Sequence, residues 1–328
     1  MELPESVVKF LGIVVIALLG LSLYYLIAFP RVGPPEEIVV NSTPEMIERG
    51  RYLANNVAIC IDCHSKRDWR YYAGPVVPGT EGMGGNAFTK KMEIPGSLYS
   101  QNITPAGIGD WTDGELIRAI TTGVSNDGTA LYPLMPYPSY KIMAKEDVHA
   151  IVAYLRSLKP IENTDIPERK LKFPHNLKIR LLPSEAEPQP RPDSSDTLAY
   201  GKYLAIIADC AGCHTPTENG FPIDGMYMAG GGRFEFPSGA VVRTENITPD
   251  KETGIGTWTR EDFIQRFKMY AGSNMHRVKV PEGGMNTIMP WIMYAGMTEQ
   301  DLGAIYTYLQ SVQPVRNEIV RYTPPPSE

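Results

Sequence analysis

Twenty consecutive uncharged residues, Phe10 to Phe29, rich in Leu, Ile and Val, are closed by Pro30 and Arg31. A helix of that length spans a bilayer. A cleaved secretory signal has a shorter apolar stretch and a small-x-small cleavage site, which Tyr24-Tyr25-Leu26-Ile27-Ala28 does not supply. Residues 1–30 are therefore expected to persist as a transmembrane anchor. After a short proline-bearing linker at 31–43, helical spacing takes over. Thr43-Pro44-Glu45 combines a hydroxyl cap, proline at the first helical position and an acid in the first turn. Leu116, Ile117 and Ile120, and likewise Phe263, Ile264 and Phe267, mark single apolar helix faces. Amphipathic helices follow Met143 through Leu155 and Met297 through Leu309, each ending at x-Pro. The remaining stretches, such as Gly79 to Gly96 and Gly225 to Gly239, are punctuated by Gly and Pro, which predicts long loops that need something to pack on.

The pattern occurs twice. Arg49-Gly50-Arg51-Tyr52-Leu53-Ala54 returns as Tyr200-Gly201-Lys202-Tyr203-Leu204-Ala205, Asn102-Ile103-Thr104-Pro105 as Asn246-Ile247-Thr248-Pro249, and Gly107-Ile108-Gly109-Asp110-Trp111-Thr112 as Gly254-Ile255-Gly256-Thr257-Trp258-Thr259. A Met-Pro-aromatic follows in each copy, then the last helix. Such ordered self-similarity marks a duplicated unit. It divides the chain into an anchor (1–30), a linker (31–43), a first domain (44–160), a proline-rich extended linker (161–196), a second domain (197–314) and an irregular C-terminal tail (315–328). The length of 328 residues, 43% of them hydrophobic, suits two cores of ordinary size. A net charge of -6 without a basic run excludes a general nucleic-acid binder, which needs clustered Lys and Arg to replace phosphate counterions.

Four cysteines are present, and all fall in Cys60-Ile61-Asp62-Cys63-His64 and Cys210-Ala211-Gly212-Cys213-His214. Cys-x-x-Cys-His is the attachment signature for haem c, in which two thiols add to the vinyl groups and the next imidazole ligates iron. A four-cysteine zinc site needs pairs much closer in sequence, and a thioredoxin-like dithiol does not need His after it twice. Structural disulfides are poorly served by such tight pairs. Met-Pro at matching positions nominates Met135 and Met289 as sixth ligands, although Met285, Met293 and Met297 stand near the latter. His149, His175 and His276 are not duplicated, which favours packing or surface roles. Thioether ligation raises a haem's potential and leaves no position for oxygen or peroxide, which points to outer-sphere electron transfer. Trp111 and Trp258 have indole donors that either reach a haem propionate or pack the core. Arg67 and Arg70, beside the first motif, either dock a partner or are solvated side chains, and the solvated reading is preferred.

These paired motifs resemble the multihaem cytochrome c subunits of bacterial membrane dehydrogenases, such as those of alcohol and gluconate dehydrogenases, over both repeats but not the anchor or linker. Those subunits carry three such domains and relay electrons toward quinone or a terminal oxidase, whereas two are present here. The resemblance implies an all-α fold, two tandem class I cytochrome c domains plus the N-terminal transmembrane helix. It further implies two covalently bound haem c groups with axial pairs His64/Met135 and His214/Met289. The expected role is electron relay between redox protein partners in a membrane complex, with the haem domains on the periplasmic side of the cytoplasmic membrane. The alternative is a dihaem oxidoreductase, peroxidase-like or thiosulfate-oxidising. Lys9 and Arg31 flank the span evenly, so charge does not set its orientation.

Overall fold

The computed structural model describes residues 4–326 apart from 90, 91, 93, 219 and 273–277. The apolar run forms α1 (Glu5–Ala28), none of it buried and, among the described residues, the one helix long and apolar enough to cross a membrane. At 1.5 Å per residue it is about 36 Å long, against a hydrocarbon core of about 30 Å.

The first repeat comprises α2 (Pro44–Tyr52), α3 (Cys60–Cys63), α4 (Pro105–Ile108), α5 (Asp113–Thr122), α6 (Tyr137–Tyr140) and α7 (Lys145–Ser157), and α8 (His175–Lys178) lies between the halves. The second comprises α9 (Thr197–Ile207), α10 (Cys210–His214), α11 (Arg260–Lys268), α12 (Trp291–Tyr294) and α13 (Glu299–Leu309). The predicted Thr43 cap accepts from Met46 N at 3.3 Å, and α5 and α11 both open on capping boxes, Thr112 with Glu115 and Thr259 with Asp262. Their apolar faces turn inward, burying Leu116, Ile120, Phe263 and Ile264.

In each half the first helix packs on the last, α2 on α7 and α9 on α13. The contact is backbone on backbone. A Cβ on Gly50 would stand 1.8 Å from the Ala150 carbonyl oxygen, and one on Gly201 would stand 1.9 Å from that of Ala304. This is why glycine occupies the same place in both copies of the x-Gly-x-Tyr-Leu-Ala motif. The first half holds one residue more between this motif and its cysteines, since Tyr52 precedes Cys60 by eight positions and Tyr203 precedes Cys210 by seven. The extra residue is taken up by a π-helix at Leu53–Val57, the usual way an insertion is carried inside a helix.

The expectation of an all-α fold is overturned by three small antiparallel sheets. β1 (Ala87–Thr89) pairs with β2 (Gly96–Tyr99), which pairs with β3 (Lys170–Leu171), and β4 (Thr217–Glu218) pairs with β5 (Phe221–Pro222). β6 (Arg233–Glu235) pairs with β7 (Val241–Arg243), which pairs with β8 (Tyr322–Thr323). The physical reason is that the long loops after the cysteine motifs carry backbone N–H and C=O groups that folding must satisfy. A short hairpin does so, and a third strand covers its edge. That third strand comes from the linker in one half and from the tail in the other, so neither segment is the irregular connection its prolines suggested.

The halves share a continuous hydrophobic core. They also exchange polar contacts reciprocally: Tyr203 of α9 donates to Asp147 of α7 at 2.8 Å, and Tyr52 of α2 donates to Asp301 of α13 at 2.5 Å. Each tyrosine hydroxyl in turn accepts the backbone N–H of Ala144 (3.2 Å) or Thr298 (3.1 Å). Asp147, fully buried, additionally accepts from Arg49 at 2.9 Å and from Arg191 of the linker at 2.8 Å. Replacing it strands two guanidinium groups and a hydroxyl. Asp147→Ala is expected to destabilise the chain by about 3 kcal/mol in urea unfolding, whereas Glu48→Ala, whose Arg51 partner is exposed, leaves the midpoint where it was.

Candidate functional site

Both cysteine motifs are short helices launched from a left-handed residue, Ile59 at φ 46° before α3 and Asp209 at φ 52° before α10. The i, i+3 spacing puts the two thiols of each pair on one face. The histidines that follow are fixed alike. His64 Nδ1 donates to the Gln101 carbonyl at 2.6 Å, and His214 Nδ1 donates to the Glu245 carbonyl at 2.7 Å. A carbonyl oxygen only accepts, so the ring proton sits on Nδ1 and the Nε2 lone pair is left for a ligand position. Burial holds both imidazoles below the ordinary histidine range, which keeps them neutral.

The repeated Asn-Ile-Thr-Pro segments present those carbonyls, a role that sequence reasoning missed. Gln101 and Glu245 each stand one residue before the asparagine. Asn102 Oδ1 accepts from Thr104 N and Oγ1 at 2.9 and 2.7 Å, and Asn246 Oδ1 accepts from Thr248 N and Oγ1 at the same distances. Their amides donate to Ile161 O (2.8 Å) and Val315 O (2.7 Å), stapling each loop just past the last helix of its half.

The thiols and imidazoles of both motifs line one cavity of about 1960 Å³ that runs through both halves. All four cysteines are free of disulfides. Burial pushes each thiol up to about 12, which disfavours the thiolate that zinc binding or dithiol exchange requires. Among the described residues no three Cys, His, Asp or Glu side chains gather into a metal-binding group.

Met135 and Met289 line the cavity from equivalent turns. Tyr137 N donates to Met135 O and Trp291 N to Met289 O, both at 2.8 Å. One turn on, the Tyr140 and Tyr294 hydroxyls donate to Ala58 O and Ala208 O at 2.7 Å, tying the Met-Pro segments to the chain before the cysteines. Met285 and Met297 also reach the cavity and Met293 does not line it. Trp111 and Trp258 line it while packing on the core. His149 is half-buried on α7 and His175 is exposed on α8, neither lining the cavity, and His276 lies outside the described residues.

Arg67 is not solvated, contrary to expectation. It pairs with buried Asp62, donates to Ala73 O and Gly74 O at 2.5 Å and lies 4.5 Å from the centre of the Trp69 ring. Arg70 is exposed, beside Asp68. Four further arginines line the cavity and were not anticipated: Arg169, Arg243, Arg266 and Arg321. Arg169 and Arg321 each stand immediately before the third strand of a sheet, so the structural repeat runs past the sequence repeat on which the boundaries were drawn. Paired thiols, a neutral imidazole with Nε2 free, thioethers in the same cavity, apolar lining and arginines together suit haem with its two acidic propionates.

Comparison with known proteins gives the same direction. The cytochrome c family model matches residues 198–313. The chain is 30% identical over 299 residues to the cytochrome c subunit of alcohol dehydrogenase (quinone) from Gluconacetobacter polyoxogenes, covering 86% of this chain and 59% of that one. It is 32% identical over 297 residues to the fructose dehydrogenase cytochrome subunit of Gluconobacter japonicus, covering 86% and 56%. It is 31% identical over 206 residues to a diheme cytochrome c-type protein of Cereibacter sphaeroides, covering 58% and 64%. The chain thus spans less than two thirds of the length of these curated relatives.

Asp209 offers a test of the buried surroundings. Burial pushes its carboxyl up to about 6, while the Ser139 hydroxyl donating at 2.6 Å pulls the other way. A folded pKa above the unfolded one means the native state holds the proton through this window, so its contribution is full below about pH 4 and is lost as pH rises through 6. Asp209→Asn, neutral and tolerant of the left-handed backbone, is expected to flatten the stability profile between those values. At pH 7 it should be more stable than the parent by up to about 3 kcal/mol. Denaturant titrations at pH 5 and pH 7 check this, and an undiminished slope would place the titrating group elsewhere.

Proposed function

The chain is related to the cytochrome c subunits of bacterial dehydrogenases and carries a cytochrome c domain over residues 198–313, and from that premise we propose that it is a membrane-tethered dihaem electron carrier. Cys60 and Cys63 hold one haem c with His64 and Met135 as axial ligands, and Cys210 and Cys213 hold the other with His214 and Met289. The observation that carries the count of two is the duplicated lock on the imidazole, a backbone carbonyl 2.6 or 2.7 Å from Nδ1 in each half.

Bound haem supplies one-electron exchange between ferric and ferrous iron. The protein's share is orientation and electrostatics. The Gln101 and Glu245 carbonyls make the imidazoles better donors by polarising Nδ1–H. Tyr140 and Tyr294 hold the methionine segments at fixed separation from the cysteine turns. Trp111 and Trp258 would offer indole donors to the propionates, and Arg169, Arg266 and Arg321 would offset their charge. His64 with Met135 and His214 with Met289 would fill the iron's remaining coordination positions, which would keep small molecules from it and limit its chemistry to electron exchange. The partners are redox proteins of a membrane complex, a reading supported by relatives that are named as cytochrome subunits of dehydrogenases. Haem c is attached outside the cytoplasm, so the two halves face the periplasm from the end of α1.

Three measurements test this reading. A pyridine haemochrome assay is expected to count two haems per chain, falling to one in Cys60→Ala/Cys63→Ala or Cys210→Ala/Cys213→Ala. Met135→His and Met289→His are each expected to lower the potential of one haem, because axial identity moves potentials over about 0.8 V. A titration unchanged by either substitution would remove that methionine from the iron. Carbon monoxide should leave the ferrous spectrum of the parent unaltered, and rapid binding would mean that one axial position is open.

A further inference from the structure

The sixteen residues from Arg169 to Ser184 contain no acid and carry Arg169, Lys170, Lys172, His175, Lys178 and Arg180. Their prolines read as a spacer, yet they fold into β3, α8 and a 3-10 turn at Ile179–Leu181. Ile179 is turned inward and 4% exposed, while Phe173 (78%), Leu177 (42%), Leu181 (51%) and Leu182 (50%) stay outward. Four large apolar side chains displayed together around one buried anchor form a patch rather than the usual scatter of single exposed residues.

This patch is held against the last turn of α1. The Tyr25 hydroxyl donates to Leu177 O at 2.5 Å, Arg180 donates to Leu26 O at 2.9 Å and to Phe29 O, and its guanidinium lies 5.9 Å from the centre of the Tyr25 ring. Just past the helix, Gly33 N donates to Glu185 at 2.7 Å. The patch therefore sits level with the end of the apolar span. Tyr25 and Phe29 mark that level as the boundary of headgroups and acyl chains, where aromatic rings concentrate. Lys170, Lys172 and Lys178 are exposed on the same short segment, which gives it the mixture of apolar and cationic side chains that binds anionic bilayers from the side.

We infer that residues 169–184 are a second membrane attachment. Phe173, Leu177, Leu181 and Leu182 enter the headgroup boundary of the leaflet that α1 leaves, and Lys170, Lys172 and Lys178 bind anionic phospholipid headgroups. Two observations choose the lipid as occupant: the patch is continuous with the end of α1, and its acid-free charge is complementary to anionic lipid. A single helix leaves the body free to swivel, whereas a second contact beside it fixes the tilt and so the height of the cavity above the membrane. The inference rests on α1 being a bilayer anchor.

Full-length holoprotein reconstituted in phosphatidylglycerol vesicles tests it through the labelling rate of single added cysteines by a water-soluble maleimide, the four native cysteines being committed to thioethers. Leu181→Cys reports the patch, Phe221→Cys, 75% exposed on the second half, is the aqueous reference, and Leu19→Cys is the reference for the span. Position 181 is expected to react about tenfold more slowly than position 221, and to approach its rate when Lys170→Glu, Lys172→Glu and Lys178→Glu are added. Equal rates at 181 and 221 with position 19 still protected would overturn the docking and leave the anchor standing. Labelling at position 19 as fast as at 221 would overturn the anchor and the docking with it. Protection at 181 that fades as protein is diluted into more lipid would assign the patch to a second copy of the chain and equally overturn the lipid assignment.

Discussion

Each half of the molecule is organised by one hydrogen bond, from a histidine Nδ1–H to a backbone carbonyl that cannot donate in return. That bond settles the tautomer and leaves Nε2 for the cavity, while burial holds the ring neutral against the carbonyl's pull toward the protonated form. The rest of the half is arranged to keep the carbonyl in place. The asparagine and threonine of Asn-Ile-Thr-Pro close on each other, and the asparagine amide ties the loop just beyond the last helix. The last helix is in turn positioned by its contact with the first, which leads into the cysteines. The ring of dependence closes within each half.

Between the halves, a different logic operates. The tyrosine after each glycine contact reaches across to an aspartate of the other half, so each first helix packs on the last helix of its own half and is bonded to that of the other. The hydrophobic core and the cavity are both continuous across this seam. The seam is not symmetric in detail. The π-helix in the first half sends Asn56 to the Met293 carbonyl at 2.9 Å, whereas in the second half the crossing bond is made by Asp209, the counterpart of Ile59, which accepts from Ser139.

The cysteine motifs, the Thr43 cap, the inward faces of α5 and α11, and the long apolar N-terminal helix were legible, because each rests on a local pattern of a few residues. The sheets were not legible. Their strands are two to four residues long, too short for alternation to show, and the third strand of two sheets is recruited from segments whose prolines signal a spacer or a loose end. Arg67 was misread for a related reason: its partners Asp62, Ala73 and Gly74 are near in sequence but meet it only once the loop has closed. The Asn-Ile-Thr-Pro segments stood out as a repeat, yet their purpose depends on the carbonyl of the preceding residue, which no side-chain pattern reveals.

The glycine contacts at Gly50 and Gly201 have a bearing on how such a duplicated chain tolerates divergence. A helix pair spaced by main-chain atoms does not change its separation when the surrounding side chains are exchanged. The two copies differ at most flanking positions, with Arg49 in one and Tyr200 in the other, Glu48 opposite Ala199, and both keep the same approach of carbonyl to Cα. The dimension on which the cavity depends is thus written in an atom that is missing, and sequence drift around it is free to tune charge and partner surfaces without disturbing the frame.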